Sequence, residues 1–185
     1  NINIGSPVIG TGGTISLPSG NLSATTTFNI LATGSSCSYQ LTNTVTVTVN
    51  PVATVTPGTT LAACQSASPA AITLTGASVG GSATTGAWSV TSGGGTLSST
   101  AQTANPAAVT YTPAANYSGS VILTLTSNDP AGPCGAVSAT RTITVNPLPT
   151  NITPTAAAAS VCSGSGTDIQ IPASELGVNY QLRNN

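Results

Sequence analysis

Two stretches of the chain alternate between polar and apolar residues and then end at an Asn-Pro step. They are Thr44–Asn50, followed by Pro51, and Thr140–Asn146, followed by Pro147. Alternation with a period of two predicts a β-strand with one buried face. Proline cannot donate a hydrogen bond to a sheet, so each strand should end there. The two steps lie 96 positions apart, about the length of one β-sandwich domain. On the apolar face of the first stretch we expect Val45, Val47 and Val49.

Between the two Asn-Pro steps, short alternating segments are separated by glycine or proline at the spacing of an all-β protein. Helix signals are almost absent. We therefore predict that residues 51–146, here called the central domain, form one complete β-sandwich. Its predicted strands are Ala53–Thr56, Ala71–Thr75, Gly86–Thr91, Val109–Thr112, Ser120–Thr126 and Thr140–Val145, and the apolar face of the fifth carries Val121, Leu123 and Leu125.

The segments on either side are too short for a two-sheet core of their own. Residues 1–50, the head segment, have the pattern of a C-terminal part of a domain. Residues 147–185, the tail segment, have the pattern of an N-terminal part. Predicted strands in the head are Ile2–Ile4, Thr14–Leu17, Thr26–Leu31 and Thr44–Val49, and in the tail they are Asn151–Pro154, Asp168–Ile171 and Asn179–Arg183.

The cysteines support this division. Within the central domain, Cys64 is the 14th residue after the first Asn-Pro asparagine, and Cys134 lies 12 before the second. In the tail, Cys162 is the 16th residue after the second asparagine, and in the head Cys37 lies 13 before the first. The tail thus resembles the start of a domain that the head would finish. We predict a repeating array in which the tail of one copy and the head of the next complete one domain.

The tail could instead close on the head of its own chain. It would then have to run back along the whole central domain. The link Pro147-Leu148-Pro149 is short and stiff, which disfavours such a reversal. Completion between copies is therefore the favoured hypothesis.

The near absence of charged residues limits the classes of partner that the chain can attract. Charged residues make up 3% of the chain, against roughly 25% in ordinary soluble domains, and the formal net charge is −1. Such a chain has almost no field with which to attract nucleic acid or an anionic membrane. No apolar run approaches the roughly 20 residues of a membrane-spanning helix, so membrane insertion is not expected. Near-zero charge also lets identical copies pack closely.

The residues for catalysis are missing. The chain has no His and no Lys, and its carboxylates are Asp129, Asp168 and Glu175, which are scattered along the sequence. Hydrolysis of a glycoside needs two carboxylates in one cleft, and a calcium site needs about six oxygens. No cysteine belongs to a C-x-x-C pair, which disfavours zinc. We therefore expect no enzyme activity, no metal and no cofactor.

Three sites match the N-glycosylation pattern, at Asn21, Asn116 and Asn151. The pattern is common by chance in a chain rich in Asn, Ser and Thr. Modification at these sites is therefore a weak hypothesis. A measured mass equal to that of the bare chain would exclude it.

Several motifs resemble one family. Val161–Thr167 followed by Gly177–Arg183 is similar to the start of an immunoglobulin-like repeat of giant Bacteroidota cell-surface proteins, which include gliding-motility adhesins. Gly5–Val8 with Gly10–Thr14 resembles the middle of that repeat, and Tyr111–Gly119 resembles a neighbouring type. The resemblance implies tandem immunoglobulin-like sandwiches, secretion by the type IX route and display in surface fibres.

Secretion makes disulfides the expected state of the cysteines. We predict a Cys64–Cys134 bridge at one end of the central domain, closing a loop of about 70 residues and stabilising it by roughly 4 kcal/mol. We predict a second bridge between Cys37 and Cys162 of adjacent copies, because these belong to one split domain. Trp88, the single tryptophan, is expected in the core.

The sequence thus predicts a structural and adhesive repeat of an extracellular surface fibre. Its partners would be identical copies arranged head to tail, with surface polysaccharide as a further candidate. One alternative is a subunit of a non-covalent, pilus-like filament built by strand donation. A second is a carbohydrate-binding module, which would need an aromatic platform that a chain with 3% aromatic residues hardly provides.

Overall fold

The computed structural model describes residues 3–130 and 132–184, and in these ranges the chain is nearly all β. Strands account for 34% of the residues and helix for 2%. The helical part is a single 3₁₀ turn, Pro106–Ala108. The predicted fold class, an all-β protein with β-sandwich architecture, is confirmed.

Fifteen strands follow in chain order within the described ranges. In the head they are β1 (Thr26–Phe28), β2 (Leu31–Thr33), β3 (Ser38–Gln40) and β4 (Val45–Val47). In the central domain they are β5 (Thr54–Thr56), β6 (Leu61–Cys64), β7 (Ile72–Thr73), β8 (Ser78–Gly80), β9 (Gly86–Ser92), β10 (Gly95–Leu97), β11 (Thr110–Pro113), β12 (Gly119–Ser127) and β13 (Ser138–Asn146). In the tail they are β14 (Thr155–Ala156) and β15 (Ile169–Gln170).

Two sheets form the central domain. The first has the strand order β6-β13-β12-β9, and the second has the order β10-β11-β7, with β5 and β8 paired beside them. All pairs are antiparallel except β6–β13, in which Leu61 lies opposite Ile143 and Cys64 opposite Asn146. The long pair β12–β13 runs without interruption from Gly119↔Val145 to Thr126↔Ser138.

The core lies between the two sheets of the central domain. Alternate side chains of β12 point inward, and the three apolar ones are fully buried, as the alternation predicts: Val121, Leu123 and Leu125. Trp88 of β9 is 1% exposed and donates its Nε1–H to the carbonyl oxygen of Pro106 at 3.0 Å, which confirms its predicted place in the core. Tyr111 of β11 and Leu74, the residue after β7, pack on the same cluster.

Several strands differ from their predictions. The pattern missed β3, β6, β8 and β10, which are short and contain glycine, serine or alanine. Residues 14–17 and 179–183 form no strand, and the tail strand expected at 151–154 appears instead at Thr155–Ala156. The predicted strand Ile2–Ile4 lies partly outside the described residues, and its described part is not a strand. A solitary alternating segment has no partner to complete its hydrogen bonds, which explains these losses in the two flanking segments.

Neither flanking segment has a core. No described residue of the head or the tail is buried. Their strands pair only within their own segment, as β1–β4, β2–β3 and β14–β15, so no sheet of the described chain joins head to tail. Among the described residues, no helix has the length and hydrophobicity needed to cross a membrane.

Candidate assembly surface

The head ends in one long hairpin. Its strands pair as Thr26↔Val47 and Phe28↔Val45, and then as Leu31↔Gln40 farther along. The tip is a tight turn in which the backbone N–H of Gly34 donates to the carbonyl oxygen of Cys37 at 2.8 Å. We call residues 26–47 the head hairpin.

The head hairpin lies at nearly the same distance before its Asn-Pro step as the β12–β13 hairpin does before the second step. Val47 lies three residues before the first Asn-Pro asparagine and pairs with Thr26, while Ile143 lies three before the second and pairs with Val121. The paired residues are 21 positions apart in the head and 22 in the central domain. The equal distance from the Asn-Pro asparagine makes Val47 the counterpart of Ile143, with a connection one residue shorter in the head, and it places Cys37 and Cys134 in corresponding hairpin tips.

The two hairpins differ in what covers their apolar faces. Ile143 is fully buried by the opposite sheet, whereas Val47 is 42% exposed and Val45 is 60% exposed. Of the three valines predicted on the apolar face, Val45 and Val47 lie on β4 and are exposed, and Val49 lies beyond the strand and is half-buried. Burying apolar surface is favourable by about 25 cal/mol per Å², so exposure of this face to water is unfavourable.

The edge of β4 is the second unsatisfied feature. In the central domain β13 has two neighbours, β12 on one side and β6 on the other. In the head β4 pairs with β1, and among the described strands no other lies beside it. An open strand edge presents unpaired N–H and C=O groups that can accept a further strand. The head therefore lacks a counterpart of β6.

A groove in the head lies against this hairpin. It is lined by apolar side chains that the predicted domain would enclose: Ile4, Ile15, Leu17, Phe28, Ile30 and Val47. The tail carries its own exposed apolar residues, among them Val161, Ile169 and Leu182 at 49%, 42% and 74% exposure. Head and tail thus both expose apolar side chains.

Electrostatics do not oppose contact between these segments. The head contains no charged residue at all, and the tail contains Asp168, Glu175 and Arg183. Hydrogen bonds from Thr150 lower the pKa of Glu175 below its ordinary value of 4.5. The bond from the Thr150 side chain has the larger effect, and the bond from its backbone N–H has the smaller. The backbone N–H of Thr150 donates to Oε1 of Glu175 at 2.5 Å, which ties the start of the tail to its second half.

The cysteines fall at the two ends of the central domain, and this corrects one prediction. Cys64 pairs with Asn146 where the chain leaves the domain, whereas Cys134 lies in the β12–β13 loop where the chain enters. The intervening ladder from Thr126 to Gly119 spans seven steps, or about 24 Å at 3.4 Å each. A disulfide requires Cα atoms within about 7 Å, so the predicted Cys64–Cys134 bridge is not formed, and both thiols are free.

Cys37 and Cys162 are also free and exposed in the single chain. Their predicted pairing involves two copies, so it stays a prediction. The sequence reasoning failed for Cys64 because the counting placed it near an end of the domain without saying which end. The parallel pairing of β6 with β13 decides that point.

The joints on both sides of the central domain are held by hydrogen bonds. Where the chain enters, the thiol of Cys134 contacts the carbonyl oxygen of Asn50 at 3.6 Å. Where it leaves, Gln65 accepts from the backbone N–H of Leu148 at 3.1 Å and donates to the carbonyl oxygen of Asn116 at 2.7 Å. Sequence reasoning missed Gln65, since a single glutamine in a loop has no pattern. The two joints lie at opposite ends of the central domain, so the chain enters at one end and leaves at the other.

No group of three or more potential metal ligands occurs among the described residues. The three asparagines that match the glycosylation pattern are exposed: Asn21, Asn116 and Asn151. Among the described residues the aromatic side chains are dispersed: Trp88 and Tyr111 belong to the core, and Tyr39 and Tyr180 lie in different segments. Tyr111 donates its hydroxyl to the carbonyl oxygen of Gly94, and burial, followed by the nearby Tyr117, raises its pKa.

The described chain is an all-β protein whose buried residues all lie between residues 51 and 146. Compared with models of known protein families, the chain matches none, and a search of curated proteins finds no significant match.

Proposed function

We propose that the chain is a structural repeat of an extracellular surface fibre, in which the head of one copy and the tail of the next form one β-sandwich. The observation that carries this proposal is the uncovered head hairpin. It lies at the same place before its Asn-Pro step as β12–β13, yet Val45 and Val47 are exposed and, among the described strands, the outer edge of β4 has no partner. A second copy would supply both.

The central domain supports a fibre in a second way. The chain enters the central domain at the end that holds Asn50 and leaves it at the end that holds Asn146. Force applied along the array would therefore act along the strands of this domain. When force acts parallel to paired strands, many inter-strand hydrogen bonds must break together before the strands separate, so the pair resists extension. Hydrogen bonds at both joints limit bending between neighbouring domains.

Identical copies are the favoured occupants of the head because of charge. A head without ionised groups offers nothing to a charged ligand, while the exposed apolar side chains of the tail could fill its groove. Copies joined by peptide bonds and copies joined by strand donation would build the same composite domain. The mass of fibres on a denaturing gel distinguishes these two forms.

The test uses the purified 185-residue chain in an analytical ultracentrifuge over a range of concentrations. We expect linear oligomers that grow with concentration. Val47→Asp should abolish growth, because it places a charge on the face that the tail would cover. The matched control is Thr46→Asp, its neighbour on the opposite face of β4, which should still assemble. A chain that stays monomeric at every concentration, or that assembles equally well as both variants, would contradict the proposal.

A further inference from the structure

The central domain shows which strand would pair with the free edge of β4, and in which register, because its strand β13 corresponds to β4 and already has a partner on that side. There, β6 lies parallel to β13, and its last residue, Cys64, stands opposite Asn146. In the head, the corresponding asparagine is Asn50. The tail residue that corresponds to Cys64 is Cys162, from its position after the preceding Asn-Pro step.

The neighbouring residues of the tail agree with this alignment. In β6, Leu61 and Ala63 are the half-buried positions, and the aligned residues Ala159 and Val161 are apolar. Farther on, Ile72 and Leu74 are the inward residues of the central domain, and Ile169 and Ile171 follow Cys162 at nearly the same distance. Residues 159–162 are exposed and form no strand in the single chain. The carbonyl oxygen of Cys162 accepts from the backbone N–H of Ser165 at 2.9 Å, so pairing through that oxygen would require this turn to open.

Parallel addition of residues 159–162 to β4 would therefore set Cys162 of one copy opposite Asn50 of the next. Adjacent strands lie about 4.8 Å apart. The thiol of Cys134 already lies 3.6 Å from the carbonyl oxygen of Asn50. Both cysteines would thus lie beside Asn50, at the joint between the composite domain and the central domain, and a disulfide between them needs a Cα separation of about 4.4–6.8 Å.

We infer that Cys162 of one copy forms a disulfide with Cys134 of the following copy, across the joint rather than inside a domain. The same geometry applies at the other joint. Cys37 occupies the hairpin tip that corresponds to that of Cys134, and Cys64 stands opposite Asn146. Cys64 of one copy therefore pairs with Cys37 of the following copy, so each pair of neighbours is joined twice.

This assignment differs from a Cys37–Cys162 bridge within the composite domain. By correspondence with Cys134 and Cys64, those two cysteines would lie at opposite ends of that domain, about 24 Å apart at 3.4 Å for each of seven ladder steps. The inference rests on the proposed function, since it needs the composite domain to form.

The chemistry requires an oxidant, and oxidised glutathione serves in the test. The thiolate of Cys134 attacks a glutathione sulfur, forms a mixed disulfide and releases one glutathione thiolate. The thiolate of Cys162 then attacks the Cys134 sulfur and releases the second. The two protons lost by the cysteines go to the two glutathione thiolates, so one disulfide is made and one is reduced.

The experiment compares three variants of the full chain, each with two cysteines left. Cys37→Ser/Cys64→Ser retains the pair Cys134 and Cys162. Cys64→Ser/Cys134→Ser retains Cys37 and Cys162, and Cys37→Ser/Cys134→Ser retains Cys64 and Cys162. Each is assembled in a glutathione redox buffer, sedimented to measure assembly, and run on a non-reducing denaturing gel.

We expect all three variants to assemble, and only the first to give a covalent ladder that a reductant collapses. Its covalent oligomers should exceed those of the others by about tenfold or more, since alignment raises the effective thiol concentration to the mM range. Mass spectrometry of the oxidised wild-type chain should then find a peptide pair that joins Cys134 to Cys162.

Each other outcome has a definite meaning. Assembly without a ladder in the first variant, or a ladder in the variant that retains Cys37 and Cys162, would overturn the disulfide assignment and leave the fibre proposal intact. Failure of all three variants and of the wild-type chain to assemble would overturn both.

Discussion

Leu148 donates its backbone N–H to Oε1 of Gln65 at 3.1 Å, two residues after the last strand of the central domain ends. Gln65 is itself anchored, because its Nε2 donates to Asn116 and its backbone N–H donates to Asn146. One side chain thus fixes the direction in which the tail leaves the domain. For a fibre repeat, such a contact sets the angle between neighbouring domains.

Replacing Gln65 by Ala should loosen this joint without unfolding the domain. A hydrogen bond of this type contributes roughly 1 kcal/mol, so amide exchange at Leu148 should accelerate by about fivefold. Hydrogen exchange followed by mass spectrometry or NMR measures this rate. Gln102→Ala is the control, since Gln102 is exposed and lies in the same domain, and it should leave exchange at Leu148 unchanged. Unaltered exchange in Gln65→Ala would show that the contact does not hold the joint.

The stability of a single copy should reside in the central domain alone. Leu123→Ala removes a fully buried side chain and should lower the free energy of unfolding by about 3–5 kcal/mol. Leu31→Ala changes a head residue that is 51% exposed, so it should alter stability by less than about 0.5 kcal/mol. Urea unfolding of both monomeric variants gives the comparison. A large effect of Leu31→Ala would mean that the head has a core in the isolated chain.

Arg141 is a buried cation that has only carbonyl partners. It is 2% exposed, and it donates from Nε to Thr59 at 2.6 Å and from Nη1 to Thr75 at 2.9 Å. Burial lowers the pKa of this guanidinium, which nevertheless stays protonated at neutral pH.

Arg141→Met should destabilise the domain by about 2–4 kcal/mol, because it leaves both carbonyl groups without a donor. Arg141→Lys keeps the charge but offers a single donor position, so its loss should be intermediate. Thermal unfolding of the two variants and of the wild-type chain tests the order. If Arg141→Met is as stable as the wild type, the two hydrogen bonds contribute nothing net.

Acid should release the contact between Thr150 and Glu175. The pKa of Glu175 is lowered in the folded chain, so the stabilisation is present above the ordinary value of 4.5 and is lost as the pH falls through the lower folded value. The amide resonance of Thr150 should therefore shift with a midpoint below 4.5. In Glu175→Gln the pH-dependent shift should disappear. A midpoint at or above the ordinary value would contradict the contact.

The sequence by itself determined the all-β class, the inward residues of β12 and the burial of Trp88. These follow from local alternation and from hydrophobicity, which act over a few residues and can be read directly along the chain. The tertiary structure alone decided that β6 lies parallel to β13, beside a strand about 80 positions away, and that Arg141 turns inward to two carbonyl groups. The pairing of strands that are so far apart in sequence depends on which strand edge is still open once the other strands have packed. The local sequence pattern does not specify that edge. This pairing separates Cys64 from Cys134, and it gives the open edge of β4 its expected partner.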